Sequence, residues 1–299
     1  MSILVVGSVA LDTIQTPLGS CDDALGGSAT YFSLSASFFG PVNLVGVVGT
    51  DFPHHCFDIF KRKGISLEGL QVKEGKTFRW VGEYGWDFSD PRTIATHLNV
   101  FSQFDPCIPA AYTKSRYVFL ANIDPQIQAK VLGQVRKPKL IICDTMDYWI
   151  ENKREHLLKL LKKVDMFLLN ETEARMLTHE ANVVRAAQAL IKLGPATVVI
   201  KKGEHGALLF MKKSVFCVPA FLLESIFDPT GAGDTFAGGF VGYLSRCKTI
   251  NQANLKRAVV YGSVMATFAV EDFSIRRLVS LRKPEVTKRV REFKKLTDF

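Results

Sequence analysis

The 299-residue sequence has six cysteines and no C-x-x-C pair among them: Cys21, Cys56, Cys107, Cys143, Cys217 and Cys247 stand far apart. That scatter argues against a zinc ribbon, a dithiol redox motif or a disulfide framework, and leaves reduced structural thiols as the expectation. No repeat or low-complexity linker interrupts the chain. The apolar run near the start, Ile3 to Leu11, is broken by Gly7 and Ser8 and stops at Asp12, too short for a membrane span. It also lacks the basic leader of a signal peptide, so the expected compartment is the cytoplasm. The histidines His54, His55, His97, His156, His179 and His205 form no pattern with a serine or cysteine nucleophile, and hydrolase chemistry is not expected. The net charge of +9 is dispersed, with a modest concentration from Arg276 to Lys295 that reads as a solvated helix face. No basic run is interleaved with stacking aromatics, so nucleic acid is not an expected partner. A basic balance suits the steering of small anions.

Two nucleotide motifs are also missing. The dinucleotide fingerprint G-x-G-x-x-G starts at Gly231 and Gly233 but finds Phe236 at its third glycine position. The P-loop has a near miss from Gly69 to Thr77, with one residue too many and Leu70 where the first glycine should stand. No strand clearly leads into it, and Gly75-Lys76-Thr77 reads as a turn.

At 47% hydrophobic and 22% charged, the chain can bury a large core. Short apolar runs alternate with helical patterns, as in successive βαβ units. Strands are expected at 3–9, 42–48, 117–121, 140–143, 166–169 and 197–200. Helices are expected to begin near Ser28, His54, Pro125, Lys153, Glu171, Val183, Asp234, Gln252 and Pro284. The strands are continuously apolar, which predicts a mostly parallel sheet covered on both faces, an α/β/α arrangement. From Thr77 to Phe88 the rhythm changes to alternation. Phe78, Trp80, Tyr84, Trp86 and Phe88 fall on one face; Thr77, Arg79, Glu83 and Asp87 fall on the other. This predicts a half-buried antiparallel strand, a turn at Asp90-Pro91 and a return strand within 93–101. Joined by residues 13–25, the hairpin would form a small sheet projecting from the main body. The aromatic face suits packing or ring stacking, and the polar face with Arg79 suits hydrogen bonds to a polyol.

The most informative stretch is Asp228 to Phe240, D-P-T-G-A-G-D-T-F-A-G-G-F. Gly231, Ala232 and Gly233 can form a concavity of backbone amides, and the helix that follows adds the positive end of its dipole. An anion such as a phosphate fits there, with Asp234 in the first turn as a base beside it. Gly238, Gly239 and Gly242 follow in the same helix at a propensity cost of roughly 1 kcal/mol each, so a packing or functional reason is required. At the expected carboxyl ends of strands stand Asp12, Asn122, Asp144 and Asn170. Asn122 and Asp144 suit turns or caps equally well. Asn170 and Glu173, three apart, suit both a capping box and a shared hydrated Mg²⁺.

With these motifs in view, the sequence resembles the PfkB/ribokinase family of small-molecule kinases. The stretch around Asp234 is similar to that family's C-terminal signature, and G-G-S-A-T-Y-F-S-L-S-A-S-F-F-G from Gly26 to its N-terminal one. N-E-T-E at Asn170 to Glu173 resembles its N-x-x-E motif, and Asp12 in G-S-V-A-L-D its substrate-binding acid. The matches keep the family's order from residue 3 to about 270. The resemblance implies a ribokinase-like three-layer fold over residues 1–299, with a β-sheet lid near 13–25 and 76–103 and a homodimer contact through it. It implies an ATP-dependent kinase with Asp234 as catalytic base and the amides of Gly231, Ala232 and Gly233 as anion hole. Asn170 and Glu173 would organise Mg²⁺ through water, and Asp12, Gly26 and Gly27 would contact the acceptor. Lys202, Gly203 and Gly206 would lie on the nucleotide side. After Ala269 the chain reads V-E-D-F-S, where many relatives carry a small-residue stretch that helps bind a monovalent cation. Glu271 and Asp272 depart from that pattern and put potassium activation in doubt.

The expected acceptor is a sugar or cyclic polyol, with a nucleoside as the alternative. Arg79 and Arg92 are candidate donors if the acceptor carries a phosphate. A non-catalytic ligand-binding relative and a nicotinamide-dependent dehydrogenase are the competing classes. The first is disfavoured by the joint presence of Asp234, Asn170 and Glu173, the second by the missing fingerprint.

Overall fold

The computed structural model describes residues 2–88, 91–212 and 214–296. Its strands in chain order are β1 (Ile3–Val6), β2 (Ala10–Thr16), β3 (Gly19–Gly26), β4 (Val42–Gly49), β5 (Ile65–Lys73), β6 (Phe78–Glu83), β7 (Arg92–His97), β8 (Tyr117–Leu120), β9 (Leu140–Cys143), β10 (Met166–Asn170), β11 (Thr197–Lys201), β12 (Ala207–Met211) and β13 (Ser214–Val218). Nine of them form one sheet in the order β13-β12-β11-β10-β9-β8-β1-β4-β5. All its pairings are parallel except β11 with β12 and β12 with β13. The other four form a small sheet in the order β3-β2-β6-β7. This is a ribokinase-like α/β fold.

Strand alternation sorts the core into two layers. Ile3, Val5, Phe119, Leu168 and Val199 pack on the side of the Ser28–Ala36, Ala232–Arg246 and Gln252–Ala269 helices. Leu4, Val6, Leu120, Leu169 and Val198 pack on the opposite side, with the Arg154–Leu161, Glu171–Thr178 and Val183–Leu193 helices. Phe32 stacks on Phe119 with ring centroids 4.2 Å apart, seating the first helix on the sheet. From β1 the chain moves one way to β4 and β5 and then returns to β8 on the other side. The carboxyl end of β1 is therefore a topological switch point, where an open parallel sheet leaves a crevice.

The first apolar run is two strands, not one. β1 ends at Val6, and β2 belongs to the small sheet. Gly7 marks the crossing: a Cβ there would stand 2.7 Å from Ala121 Cβ and 2.9 Å from Ser28 Oγ. Ser8 and Ser28 lock the junction, each backbone N–H donating to the other's hydroxyl (3.2 and 2.9 Å). The small sheet consequently begins at Ala10, earlier than the expected residue 13. Gly69, the start of the P-loop near miss, lies inside β5, and the chain bends at Glu74-Gly75.

The expected alternation holds only from Phe78 to Glu83. Glu83 pairs with Arg92, and Trp86 beyond the strand is 85% exposed. The return strand stops at His97, and Asn99–Gln103 is a 3₁₀ turn. The expected Asp90-Pro91 turn lies partly outside the described residues. The expected helices are present, with additional short ones at Asp147–Asn152 and Arg276–Ser280. No described helix is long and apolar enough to cross a membrane.

Candidate active site

The Ala232–Arg246 helix starts from Gly231, whose φ of 72° is left-handed. A Cβ there would also lie 2.3 Å from the Tyr31 ring, so the position requires glycine twice over. The preceding loop is fixed by Asp228. One carboxylate oxygen accepts the Thr230 N–H at 2.9 Å and the other accepts the Ser274 N–H at 2.8 Å. The expected trio of anion-binding amides needs one correction. The Ala232 N–H donates to the Pro229 carbonyl at 3.1 Å, closing the turn. The amides of Gly233 and Asp234 have no backbone acceptor among the described residues, as expected for the first turn of a helix. The glycines later in this helix serve packing: a Cβ on Gly238 would meet Phe32 O at 2.4 Å, and one on Gly239 would meet Met265 Cγ at 2.8 Å.

Beside this helix start lies a charge cluster from the carboxyl ends of β9, β10 and β11. Lys201 Nζ is 3.2 Å from Asp144 Oδ2, and Asp144 Oδ1 accepts the Thr145 N–H at 2.8 Å. Lys201 stays protonated: burial works against its charge, but Asp144, Glu173 and Asp234 hold it above the ordinary lysine value. Asp234 is pushed up to about 7, chiefly by burial and then by the Asp144 charge, with Lys201 opposing. Glu173 is pushed up to about 8, again chiefly by burial, with Lys201 opposing. Asn170 and Glu173 form a reciprocal capping box on the Glu171–Thr178 helix. Each backbone N–H donates to the other's side chain at 2.7 Å.

Three carboxyl groups thus surround one ammonium in a poorly solvated site, and Asp234 and Glu173, held up by burial, would give up their protons more readily beside an added cation. No three His, Cys, Asp or Glu side chains among the described residues converge as a direct metal cage. The donor set therefore fits a cation that keeps its own water, as Mg²⁺ does, better than a stripped one.

Within electrostatic reach of Asp234 stands Asp12, inside β2 of the small sheet rather than just beyond the first strand of the main one. It is buried and pushed up to about 7 by burial and by the charges of Asp228 and Asp234, against the pull of the Gly27 N–H. Gly26 and Gly27 form its floor. A Cβ on Gly26 would stand 1.9 Å from Asp12 Oδ2, and one on Gly27 would stand 2.6 Å from Ser8 O. Asp12 is in register with Trp80 of β6, so the two side chains share a face. That face continues into a cluster of Ile14, Cys21, Tyr84 and Phe273, with Trp80 against it. The Tyr84 hydroxyl reaches Thr230 Oγ1 at 3.1 Å and so links the small sheet to the anion-binding loop.

Arg79 is one residue off this face. Its guanidinium is paired with Asp23 and, at 3.1 Å, with Asp51, so it braces the small sheet rather than joining Asp12. Arg92 pairs with Glu83 at 2.5 Å on the outer strand. Lys202 is paired with Glu171 at 3.5 Å. The loop carrying Gly203 (φ 54°) and Gly206 (φ 88°) is closed by the Lys202 N–H on the Gly206 carbonyl at 2.8 Å. It sits at the carboxyl end of β11, next to Asn170 of β10.

Sequence reasoning passed over Lys201, left Asp144 as a turn or cap candidate, and gave no individual site role to Tyr84 or Thr230. A usable signal existed for the first two. Lys201 has the strand parity of Val199, and Asp144 that of Leu140 and Ile142, all on the side of the Ala232–Arg246 helix. Two surface cavities of about 310 Å³ each, one beside Lys73, Lys76 and Asn99 and one beside Phe39, Tyr243 and Tyr261, contain none of these residues.

Residues 3–279 match the family model described as pfkB family carbohydrate kinase. A cytidine kinase of Thermococcus kodakarensis is 31% identical over 258 residues, covering 84% of this chain and 91% of that protein. The fold is shared with a nucleoside kinase of Methanocaldococcus jannaschii, at a TM-score of 0.77 and 19% identity over 97% of this chain and 98% of that one. It is shared too with an E. coli protein assigned as Ribokinase II, in complex with ATP and Mg²⁺, at a TM-score of 0.79 and 18% identity over 97% and 99%. The chain, with its glycine-capped helix start, partly buried acid and separate small sheet, belongs to the pfkB family of carbohydrate kinases and is a phosphotransferase.

Proposed function

We propose that this enzyme transfers the γ-phosphoryl group of ATP to a hydroxyl of a small polyhydroxylated ring compound. The observation that carries this reading is that Asp12 lies within electrostatic reach of Asp234 at one helix N-terminus, while Glu173, capped by Asn170, is tied to the same helix start through Lys201. Asp234 takes the proton of the attacking hydroxyl, and burial keeps its affinity for that proton close to what the task needs. The amides of Gly233 and Asp234, with Gly231 shaping the turn, face the charge that develops on the phosphoryl oxygens. Asp12 accepts a hydrogen bond from an acceptor hydroxyl over the floor of Gly26 and Gly27. Asn170 and Glu173 would hold a hydrated Mg²⁺, which when bound neutralises phosphate charge. Gly203 and Gly206 let the loop after β11 lie close to the nucleotide, with Lys202 at its base.

The small sheet acts as a lid that excludes water as a competing acceptor. Its aromatic side is the one that shares a face with Asp12. Together with the cytidine kinase relative, this favours a nucleoside over a free sugar or inositol, reversing the order suggested by the sequence alone. Leu18, Ile94 and Leu98 are exposed near the lid's edges, which supports pairing of two copies there. Six unpaired thiols fit a reducing compartment, and the cytoplasm is the proposed location. Coupled measurement of ADP formation with nucleosides, pentoses, hexoses and inositols tests the reading. Turnover with pyrimidine or purine nucleosides is expected; turnover only with free sugars would reverse the acceptor assignment, and no acceptor-dependent turnover would reject the kinase.

A further inference from the structure

The mechanism above leaves one buried charge without a task. Lys201 ends β11 with its side chain 17% exposed, and an ammonium so poorly solvated needs compensation. Asp144, itself almost fully buried, supplies it at 3.2 Å. The pair could have been an internal brace, but its placement says more. A Cβ on Gly233 would lie 3.0 Å from Lys201 Nζ, so the ammonium stands against the first turn of the Ala232–Arg246 helix. It is beside the two amides that have no backbone acceptor. An oxyanion held by those amides would sit within reach of Nζ. The Thr145 hydroxyl, buried next to Asp144, has no hydrogen-bond partner among the described residues, so polar capacity is left over on this side of the cluster as well.

We propose that Lys201 is a catalytic cation of the phosphoryl transfer, shared between Asp144 and an oxygen of the γ-phosphoryl group. The proposal rests on the kinase reading. In the transfer step the bond between acceptor oxygen and γ-phosphorus forms, and the bond from that phosphorus to the β–γ bridging oxygen breaks. The electron pair leaves with ADP, and the acceptor proton goes to Asp234. Lys201 makes no covalent bond and gives up no proton. Its ammonium follows the charge as it spreads over the migrating group, and Asp144 is the positioning residue that holds the lysine stem in line between turnovers. A lysine suits this role because its point charge can move along a flexible stem from carboxylate to phosphate.

Three variants separate catalysis from bracing: Lys201→Met, Lys201→Arg, and Lys201→Met combined with Asp144→Asn. Steady-state kinetics are read alongside calorimetric binding of ADP and of the β,γ-imido analogue of ATP, each with Mg²⁺. Lys201→Met is expected to lower kcat by about 10²–10³-fold with acceptor KM within about threefold, the loss typical of one preorganised transition-state donor. Lys201→Arg is expected to recover at least about tenfold of that loss, since it restores the charge. The Met variant is expected to bind the ATP analogue about tenfold more weakly while ADP affinity stays unchanged. The double variant removes both buried charges, so it folds even if Lys201→Met alone does not, and it is expected to remain as slow as Lys201→Met. Near-normal kcat in Lys201→Met, or recovery of activity in the double variant, would overturn the proposal and leave Lys201 as a brace. Should the wild-type enzyme show no acceptor-dependent turnover, the kinase reading fails by itself; equal loss of ADP and analogue affinity would then overturn the lysine's contact with the third phosphate.

Discussion

The carboxylate of Asp12 occupies the space that a side chain on Gly26 would need, with Oδ2 only 1.9 Å from the position of that missing Cβ. Gly26 closes β3 and pairs with Ala10 two residues before Asp12, so the contact is built into the register of the small sheet. A methyl group there would force the carboxylate out of its position above Gly27. Gly26→Ala is therefore expected to raise acceptor KM by tenfold or more, equivalent to about 1.4 kcal/mol of binding. Nucleotide affinity should be unchanged, because the substitution is remote from the β9–β11 cluster. Isothermal titration with the ATP analogue and acceptor-dependent kinetics check the two halves separately.

The pH dependence follows from two carboxyl groups. Asp234 and Asp12 are each pushed up to about 7, so both carry protons below neutrality. A protonated Asp234 cannot accept the hydroxyl proton, and a protonated Asp12 is a weaker hydrogen-bond acceptor. The sign is thus a loss of kcat/KM as pH falls through about 7, with a logarithmic slope steeper than one when both groups matter. Asp12→Asn should reduce that slope to one while leaving an acid limb. Asp234→Asn should lower turnover by about 10²–10⁴-fold and leave ADP binding largely intact. A flat profile from pH 6 to 8 in the wild-type enzyme would remove Asp234 from its role as base.

Glu173 serves two masters, and a single substitution separates them. Its Oε2 accepts the Asn170 N–H at 2.7 Å, a contact that a glutamine oxygen can also make. Burial pushes its carboxyl up to about 8, so in the absence of metal its ionisation opposes folding. For a carboxyl raised in the folded state, stability is greatest below the unfolded value near 4.5 and declines as pH rises toward 8. Glu173→Gln is expected to flatten that decline in metal-free thermal denaturation and to raise the Mg²⁺ concentration for half-maximal activity by about 10–100-fold. Unchanged Mg²⁺ dependence would assign Glu173 to the helix cap alone.

Much of this architecture is legible in the sequence because it rests on local patterns. Continuously apolar strands such as Tyr117–Leu120 and Met166–Leu169 are buried on both faces, and the Asn170–Glu173 cap is written in a four-residue motif. The failures have a common cause, which is information held between distant segments. The break between β1 and β2 depends on Gly7 meeting Ala121 and Ser28. The loss of Arg79 from the acceptor side depends on Asp23 and Asp51. The choice between Lys201 and Lys202 depends on which side of β11 receives the Ala232–Arg246 helix. The engagement of the Ala232 amide by the Pro229 carbonyl is a matter of backbone angles, which glycine-rich sequences leave open.

The chain after Ala269 bears on ion dependence. Glu271 is not available to a small cation: Arg277 Nε lies 3.1 Å and Arg289 Nη2 2.6 Å from its two oxygens. Arg277 also binds Glu285 at 2.6 Å, and Arg289 stacks 3.7 Å from the centroid of Phe268. Positive charge in this region is therefore supplied by two guanidinium groups from the C-terminal segment. The same segment carries Ser274, whose N–H holds Asp228 and through it the loop before Gly231. Replacing potassium by sodium or choline at constant ionic strength is expected to change kcat by less than about twofold. Arg289→Met retains bulk but leaves Glu271 with one partner. For a pair that is only partly buried, the expected loss is about 2 kcal/mol, below the range for a fully buried pair. It should appear as a drop in thermal midpoint together with a rise in acceptor KM, because the loosened segment is the one that anchors Asp228. Strong activation of the wild-type enzyme by potassium alone would show that a bound cation, and not the arginines, completes this part of the site.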